Sequence, residues 1–108
     1  MRVYIAGKIG TSDELARLER IDALCKSLGL QTFLPHREVG IAQGIDDVGR
    51  IFREDIKTGL SRCDFVIASL DGLHIGAGTA WELGYAYAKS IPALGLKTDE
   101  PVNDALDI

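Results

Sequence analysis

The sequence predicts an α/β fold: a single domain built on a parallel sheet of four to five strands, with helices on both faces. Three observations predict it. β-prone runs alternate with runs of helical period along the chain, divided by glycine, proline and aspartate turns. The third β-prone run is apolar almost throughout, as a central parallel strand covered on both sides must be. The chain has 108 residues, enough for one hydrophobic core and too few for a second.

The elements follow in order. Arg2-Val3-Tyr4-Ile5-Ala6 is the first strand, stopped by the turn Gly7-Lys8-Ile9-Gly10. Ser12 offers an N-cap, and Asp13 and Glu14 place negative charge in the first turn, where the helix dipole favours it. Leu15, Leu18, Ile21, Leu24, Cys25 and Leu28 recur at helical spacing, and Gly29 suits the position just past the helix end. Gln31 to Leu34 is a second strand ended by Pro35, and His36 to Ile45 reads as a loop. A helix is expected from Asp46 or Asp47 to Ser61, with Val48, Ile51, Phe52, Ile56 and Leu60 as its buried stripe. Asp64 to Leu70 is the third strand, Thr79 to about Lys89 the third helix, and Pro92 to Leu96 the last strand. This order matches the three-layer sandwiches of flavodoxin-like and Rossmann-like proteins, with right-handed crossovers. Such sheets bind ligands beyond the carboxyl ends of their strands. Here those ends carry Ala6-Gly7-Lys8, Leu34-Pro35-His36 and Leu70-Asp71-Gly72.

Composition narrows the partners. The net charge is −4 and the pI near 5.0, with no Lys/Arg cluster of the kind a nucleic acid polymer or an anionic membrane requires. A small nucleoside or nucleotide is compatible, because a local site can hold an anion against the overall charge. Cys25 and Cys63 have no metal or redox spacing and read as buried apolar groups of a reducing compartment. No leader segment opens the chain and no apolar run reaches the ~20 residues of a membrane span. A cytoplasmic protein is expected. His36 and His74 lie in unlike loops, so no metal site is expected, and no cofactor is implied.

Gly78-Thr79-Ala80-Trp81-Glu82-Leu83-Gly84-Tyr85-Ala86 carries the most specific signal. It resembles the signature of the nucleoside 2-deoxyribosyltransferase family, which includes the 2′-deoxynucleoside 5′-phosphate N-hydrolases. Val3-Tyr4-Ile5-Ala6-Gly7, Arg53-Glu54-Asp55-Ile56, Asp64 to Ala68 with Leu70-Asp71-Gly72, and Pro92-Ala93 resemble further family segments, in the family's order. The resemblance implies cleavage of an N-glycosidic bond, with Glu82 as nucleophile under the sugar. A carboxylate there stabilises the oxocarbenium-like state and then bonds to the anomeric carbon. Asp55 would protonate or position the leaving base, and Tyr4 would orient Glu82. Gly7, Lys8, Asp71, Gly76 and Gly78 are the candidate substrate contacts.

Each of these residues has a plainer reading. Thr79-Ala80-Trp81-Glu82 fits a helix capping box; either role sets Glu82 at a helix start, where it is expected to be ionised. Asp55 also fits an exposed helix charge paired with Arg62 or Lys57, Tyr4 a half-buried strand ring, and Asp71 an Asp-Gly turn. His74 reads as a solvated loop residue, and Trp81 and Phe33 as core rather than stacking platforms.

Two features depart from the family pattern. Six positions before the nucleophile, transferases carry an aspartate for the sugar's 5′-hydroxyl and the hydrolases a serine for a 5′-phosphate; here it is Gly76. The hydrolases' arginine after the first strand is replaced by Lys8 and Thr11. Family sites are completed from near a neighbouring subunit's C-terminus. Pro101-Val102-Asn103-Asp104 resembles the start of that tail, which makes Asn103 a candidate and a homodimer or larger homo-oligomer the expected assembly. Transferase activity is the preferred expectation, with a nucleotide N-glycosidase and a non-catalytic nucleotide-binding module as alternatives. A receiver or redox domain is disfavoured, because the first strand end lacks an acidic cluster and no phosphate-binding loop is present.

Overall fold

The computed structural model describes residues 1–99. Strands β1 (Arg2–Ala6), β2 (Gln31–Phe33), β3 (Phe65–Ser69) and β4 (Ala93–Leu96) form one parallel sheet in the order β2-β1-β3-β4. Helix α1 (Ser12–Ser27), a short helix α2 (Pro35–Glu38), α3 (Ile45–Glu54) and α4 (Ala77–Ala88) connect them. The α/β class and the single parallel sheet are as expected, with four strands among the described residues.

Alternation along β1 divides the core into two halves. Val3 and Ile5 pack with Leu18 and Cys25 of α1. Tyr4 and Ala6 point the other way, into a cluster with Phe33, Leu60, Val66, Ala68 and Ala86. Both cysteines are buried and unpaired. Strand order reverses beside β1, which has β2 on one side and β3 on the other, so the crevice belongs at the ends of β1 and β3.

Several local expectations are corrected. Thr11, not Ser12, caps α1; its hydroxyl accepts from the Glu14 amide while the Glu14 carboxylate accepts from the Thr11 amide. Leu24 and Leu28, assigned to the buried stripe, are 59% and 70% exposed. The segment read as one loop from His36 to Ile45 contains α2, started by Pro35 in the first helical turn. Val48 and Phe52 of α3 are exposed rather than core. Trp81, also expected in the core, is 46% exposed.

Beyond Glu54 the helix widens into a π turn over Asp55–Gly59 and tightens into a 3-10 turn over Leu60–Arg62. A Cβ at Gly59 would lie 2.5 Å from Phe33 Cε1. Only glycine lets the helix run this close to the Phe33 ring, which is itself stacked on Tyr4 at 5.6 Å.

Asp71 is corrected as a substrate contact. It is 6% exposed and turned toward the end of β4. Its carboxylate accepts from the Thr98 amide and hydroxyl at 2.5 Å each and from the Asp99 amide, and pairs with Arg17 Nε at 2.9 Å. With its lone pairs so used, Asp71 ties β3, β4 and α1 together and has none left for a ligand. The Thr98 bonds, with help from the Asp99 amide and Arg17, hold its pKa down at about 2 against an ordinary 3.8.

A depressed carboxylate pKa contributes stability that is present above the unfolded value and lost as pH falls through the folded one. Urea unfolding of the wild type should therefore lose about 2 kcal/mol to this group between pH 5 and pH 2. Asp71→Asn should lower stability at pH 7 by a similar amount and flatten that acid limb. An unchanged acid limb in the variant would contradict the assignment.

Candidate active site

A cavity of about 230 Å³ opens at the carboxyl end of β1. Ala6, Gly7 and Lys8 line it from β1 and its turn, Asp55 and Phe52 from the α3 side, and Gly76, Gly78, Thr79 and Glu82 from α4. The rest of the wall is apolar, from Ile5, Ile9, Leu18 and Pro35.

Glu82 owes its position to α4. The helix starts at Ala77, earlier than the expected Thr79, with Gly76 as N-cap and no side-chain capping bond. Glu82 therefore lies in the second turn, and the capping-box reading fails. Its Oε2 instead accepts a short hydrogen bond from the Tyr4 hydroxyl. Tyr4 is fully buried in the central strand, so its hydroxyl must find a partner inside the fold. Burial, reinforced by the charges of Glu82 and Asp55, pushes the phenol's pKa far above its ordinary value, which keeps it a donor at any working pH.

The electrostatics of Glu82 differ from expectation. A helix start would keep it ionised, yet its pKa is pushed up to about 7. Burial is the main cause and the Asp55 charge adds to it, while the Tyr4 hydrogen bond pulls the other way. Asp55 is raised by burial, with a smaller contribution from Glu54, to about 6. Its Oδ1 is buried without a hydrogen-bond partner. Asp55 faces the cavity from the first residue of the π turn and makes no ion pair with Lys57 or Arg62 among the described residues. Two carboxyl groups with raised pKa values thus share one largely apolar pocket, the arrangement typical of acid–base sites.

The structure brings Glu82, Asp55, Gly7, Lys8, Gly76 and Gly78 to one cavity, with Tyr4 immediately behind Glu82. Asp71 and His74 are not among the lining residues. Asn103 lies outside the described residues. Gly7 has a packing role as well, since a Cβ there would meet Leu18 Cδ2 at 2.6 Å.

Pro35, from one of the three expected strand-end loops, lines the cavity, and so does Phe52, which was not foreseen there. Phe52 precedes Asp55 by three positions, which places both on one helix face; that spacing was the available signal. Its ring meets Trp81 edge-on at 4.7 Å, and Trp81 stacks on Tyr85 at 5.5 Å, so an aromatic ledge continues outward from the cavity. Among the described residues no group of three His, Cys, Asp or Glu side chains is placed to hold a metal, and no helix is long and apolar enough to cross a membrane.

Comparison with known proteins bears on the family and the fold. The sequence profile described as nucleoside 2-deoxyribosyltransferase matches residues 3–105. No curated protein matches the chain. Among solved structures, a 2-deoxyribosyltransferase of Bacillus psychrosaccharolyticus superposes with a TM-score of 0.79 at 20% identity, over 95% of this chain and 77% of that one. A conserved protein of Enterococcus faecalis V583 superposes at 0.72 with 29% identity, over 99% of this chain and 70% of that one. The CMP N-glycosidase BcmB of Clostridium botulinum superposes at 0.61 with 20% identity, over 99% and 77%. At 20% identity the first and third establish a shared fold. The profile match spans nearly the whole chain, and the chain belongs to the nucleoside 2-deoxyribosyltransferase family.

Proposed function

We propose that the chain cleaves the N-glycosidic bond of a 2′-deoxynucleoside or nucleotide by double displacement on Glu82 and passes the sugar to a second nucleobase. The observation that carries this reading is a carboxyl group facing a cavity with a buried hydroxyl donor behind it and a second, raised carboxyl beside it. The ionised Glu82 attacks the anomeric carbon, and the bonding pair of the glycosidic bond passes to the base nitrogen. Asp55 in its protonated form gives its proton to the departing base. The resulting glycosyl ester is then attacked by a nitrogen of the acceptor base, whose proton returns to Asp55 as Glu82 is released. The Tyr4 hydroxyl orients Glu82 and steadies its charge. The apolar wall and Phe52 suit a flat heterocycle and work against bulk water, which supports transfer over hydrolysis.

Incubation with a panel of deoxynucleosides and deoxynucleotides, with and without a second free base, tests the reading. Base exchange upholds transfer, and free base released without an acceptor would make water the acceptor. Absence of turnover on every member, with ligand-dependent thermal stabilisation that survives Glu82→Ala, would make the protein a binding module instead.

Glu82→Gln is expected to lower kcat by about 10⁴-fold or more, as loss of a covalent nucleophile does. The same variant should gain stability in base. A carboxyl whose folded pKa is raised destabilises the fold as pH climbs from its ordinary 4.5 through about 7. At pH 8 the variant should exceed the wild type by up to about 3 kcal/mol in urea unfolding. A variant both inactive and less stable at pH 8 would mean that Glu82 serves the fold alone.

The reactive form carries one proton on the carboxyl pair, so kcat/KM should peak between limbs near pH 6 and pH 7 that belong to the pair. Tyr4→Phe removes the bond that holds Glu82 down, so the profile should move to higher pH while the maximum falls by about tenfold or more. A profile that keeps its position in the variant would exclude Tyr4 from tuning Glu82.

A further inference from the structure

Glu82 and Asp55 line the cavity, but neither is aimed there by its own contacts alone. The Glu82 carboxyl is held by the Tyr4 hydroxyl. Asp55 Oδ1 is buried without a hydrogen-bond partner, so the backbone that carries Asp55, the first residue of the π turn, must direct the carboxyl. Both supports meet at Phe33, a buried ring that is no part of the cavity wall. Parallel pairing of β1 and β2 sets Phe33 beside Tyr4 in register, so their side chains leave the sheet on one face. The two rings stack at 5.6 Å with an interplanar angle of 10°. The Arg2 guanidinium, 5.3 Å from the Phe33 centroid, confines the ring further.

The π turn rests on the same ring. A Cβ on Gly59 would come within 2.5 Å of Phe33 Cε1 and 2.8 Å of its Cδ1 and Cζ, so the backbone of the turn is already against the ring. From Gly59 the chain passes to Leu60, which is fully buried in the Tyr4 cluster. The Leu60 amide donates to the Asp55 and Ile56 carbonyls and so closes the wide turn onto Asp55. A displacement at Gly59 is therefore passed to Asp55 across one hydrogen bond. Close packing allows little slack on the way.

We propose that Phe33 is a positioning residue for both carboxyl groups: its ring keeps the Tyr4 hydroxyl on Glu82 and is the stop against which the π turn directs Asp55 into the cavity. This rests on the roles given to Glu82 and Asp55 above. With the ring gone, Tyr4 is free to tilt away from Glu82, and the turn to sink toward β2. Phe33 carries no charge, so the charges beside each carboxyl, Glu54 at Asp55 and Asp55 at Glu82, are the same in a Phe33 variant. Any change in the titration of the pair then reports a change in its geometry.

The test follows Glu82 and Asp55 by carboxyl-carbon NMR titration, and by the pH profile of kcat/KM, in the wild type, Phe33→Leu, Gly59→Ala and the double variant. In Phe33→Leu the weakened Tyr4 bond should raise the Glu82 titration above about 7, and a loosened, better hydrated Asp55 should fall below about 6. Each shift should be about 0.5 in pH or more, the worth of a modest hydrogen bond. kcat should drop by about tenfold or more with KM within about threefold of the wild type, since Phe33 does not line the cavity. Gly59→Ala should disturb both titrations in the wild type and far less in Phe33→Leu, where the smaller side chain makes room for the added methyl. Should Phe33→Leu not fold, Phe33→Met, which fills the same space with a flexible chain, takes its place. A folded variant in which either carboxyl titrates as in the wild type would overturn the proposal, as would full additivity of the two substitutions. Should the wild type cleave nothing, the reaction assigned to Glu82 fails, while the titrations still decide the role of Phe33.

Discussion

The bond between the Tyr4 hydroxyl and the Glu82 carboxylate is the constraint around which the remaining structure is arranged. Tyr4 sits in the central strand with no exposure, and a buried phenol left unpaired would destabilise the fold by about 1–3 kcal/mol. The partner must come from α4, so α4 has to lie close to the sheet. The residues between them are small: Ala6, Ala68 and Ala86 share the Tyr4 cluster and keep the helix near β1 and β3. On the other side of the tyrosine ring, Phe33 is stacked on it and Gly59 abuts Phe33. The π turn that begins at Asp55 and ends at Gly59 therefore answers to the same ring stack that fixes Glu82. Glu82 is bonded to one ring of the aromatic pair, and the π turn that begins with Asp55 ends at a glycine packed against the other.

Such an arrangement works against stability. Burial raises the pKa values of Glu82 and Asp55 to about 7 and about 6, which means that ionising either group within the fold is unfavourable. Asp71 shows the opposite case in the same small domain. There a carboxylate with four donors around it is held well below its ordinary pKa and joins β3, β4 and α1. The contrast separates roles that residue type cannot. A satisfied acid is structural, whereas an acid left facing a cavity with an unpartnered oxygen retains capacity for a ligand.

Much of this was legible in the sequence, for identifiable reasons. The order of the strands and the three longer helices followed from period and punctuation, because β3 is apolar up to Ser69 and α1 and α3 carry repeating stripes, whereas the four residues of α2 carry none. The width of those stripes was not legible. By ordinary rise α1 is roughly 24 Å long while the strands beneath it span roughly 10–17 Å. Its last turn still reaches the core through Cys25, while Leu24 and Leu28, on either side of it in sequence, meet solvent. Glu82 stood out through its flanking glycines and the family resemblance, although Thr79 offered an equally good capping pattern. Only the earlier start of α4 separated the two. The role of Asp71 depended on Thr98 and Arg17, distant in sequence on opposite sides of it, and no local pattern predicts such a meeting. Phe52 was read as core because it is aromatic on a helix stripe, and the same stripe carries it to the cavity mouth.

The geometry also bears on the order of events in the proposed reaction. In that proposal the nucleophile and the acid are Glu82 and Asp55, which line the same cavity of about 230 Å³. A donor base and an acceptor base would need the same contacts with Asp55 and the apolar wall, so they compete for one place. A direct exchange would require both at once. A sugar held as an ester on Glu82 removes that requirement, because the first base departs before the second arrives. Asp55, having lost its proton in the first half, is then in the form needed to accept one in the second. Retention of configuration at the anomeric carbon follows from two displacements at one centre. Within this reading a second catalytic pair is unnecessary, and the economy of so small a domain is intelligible.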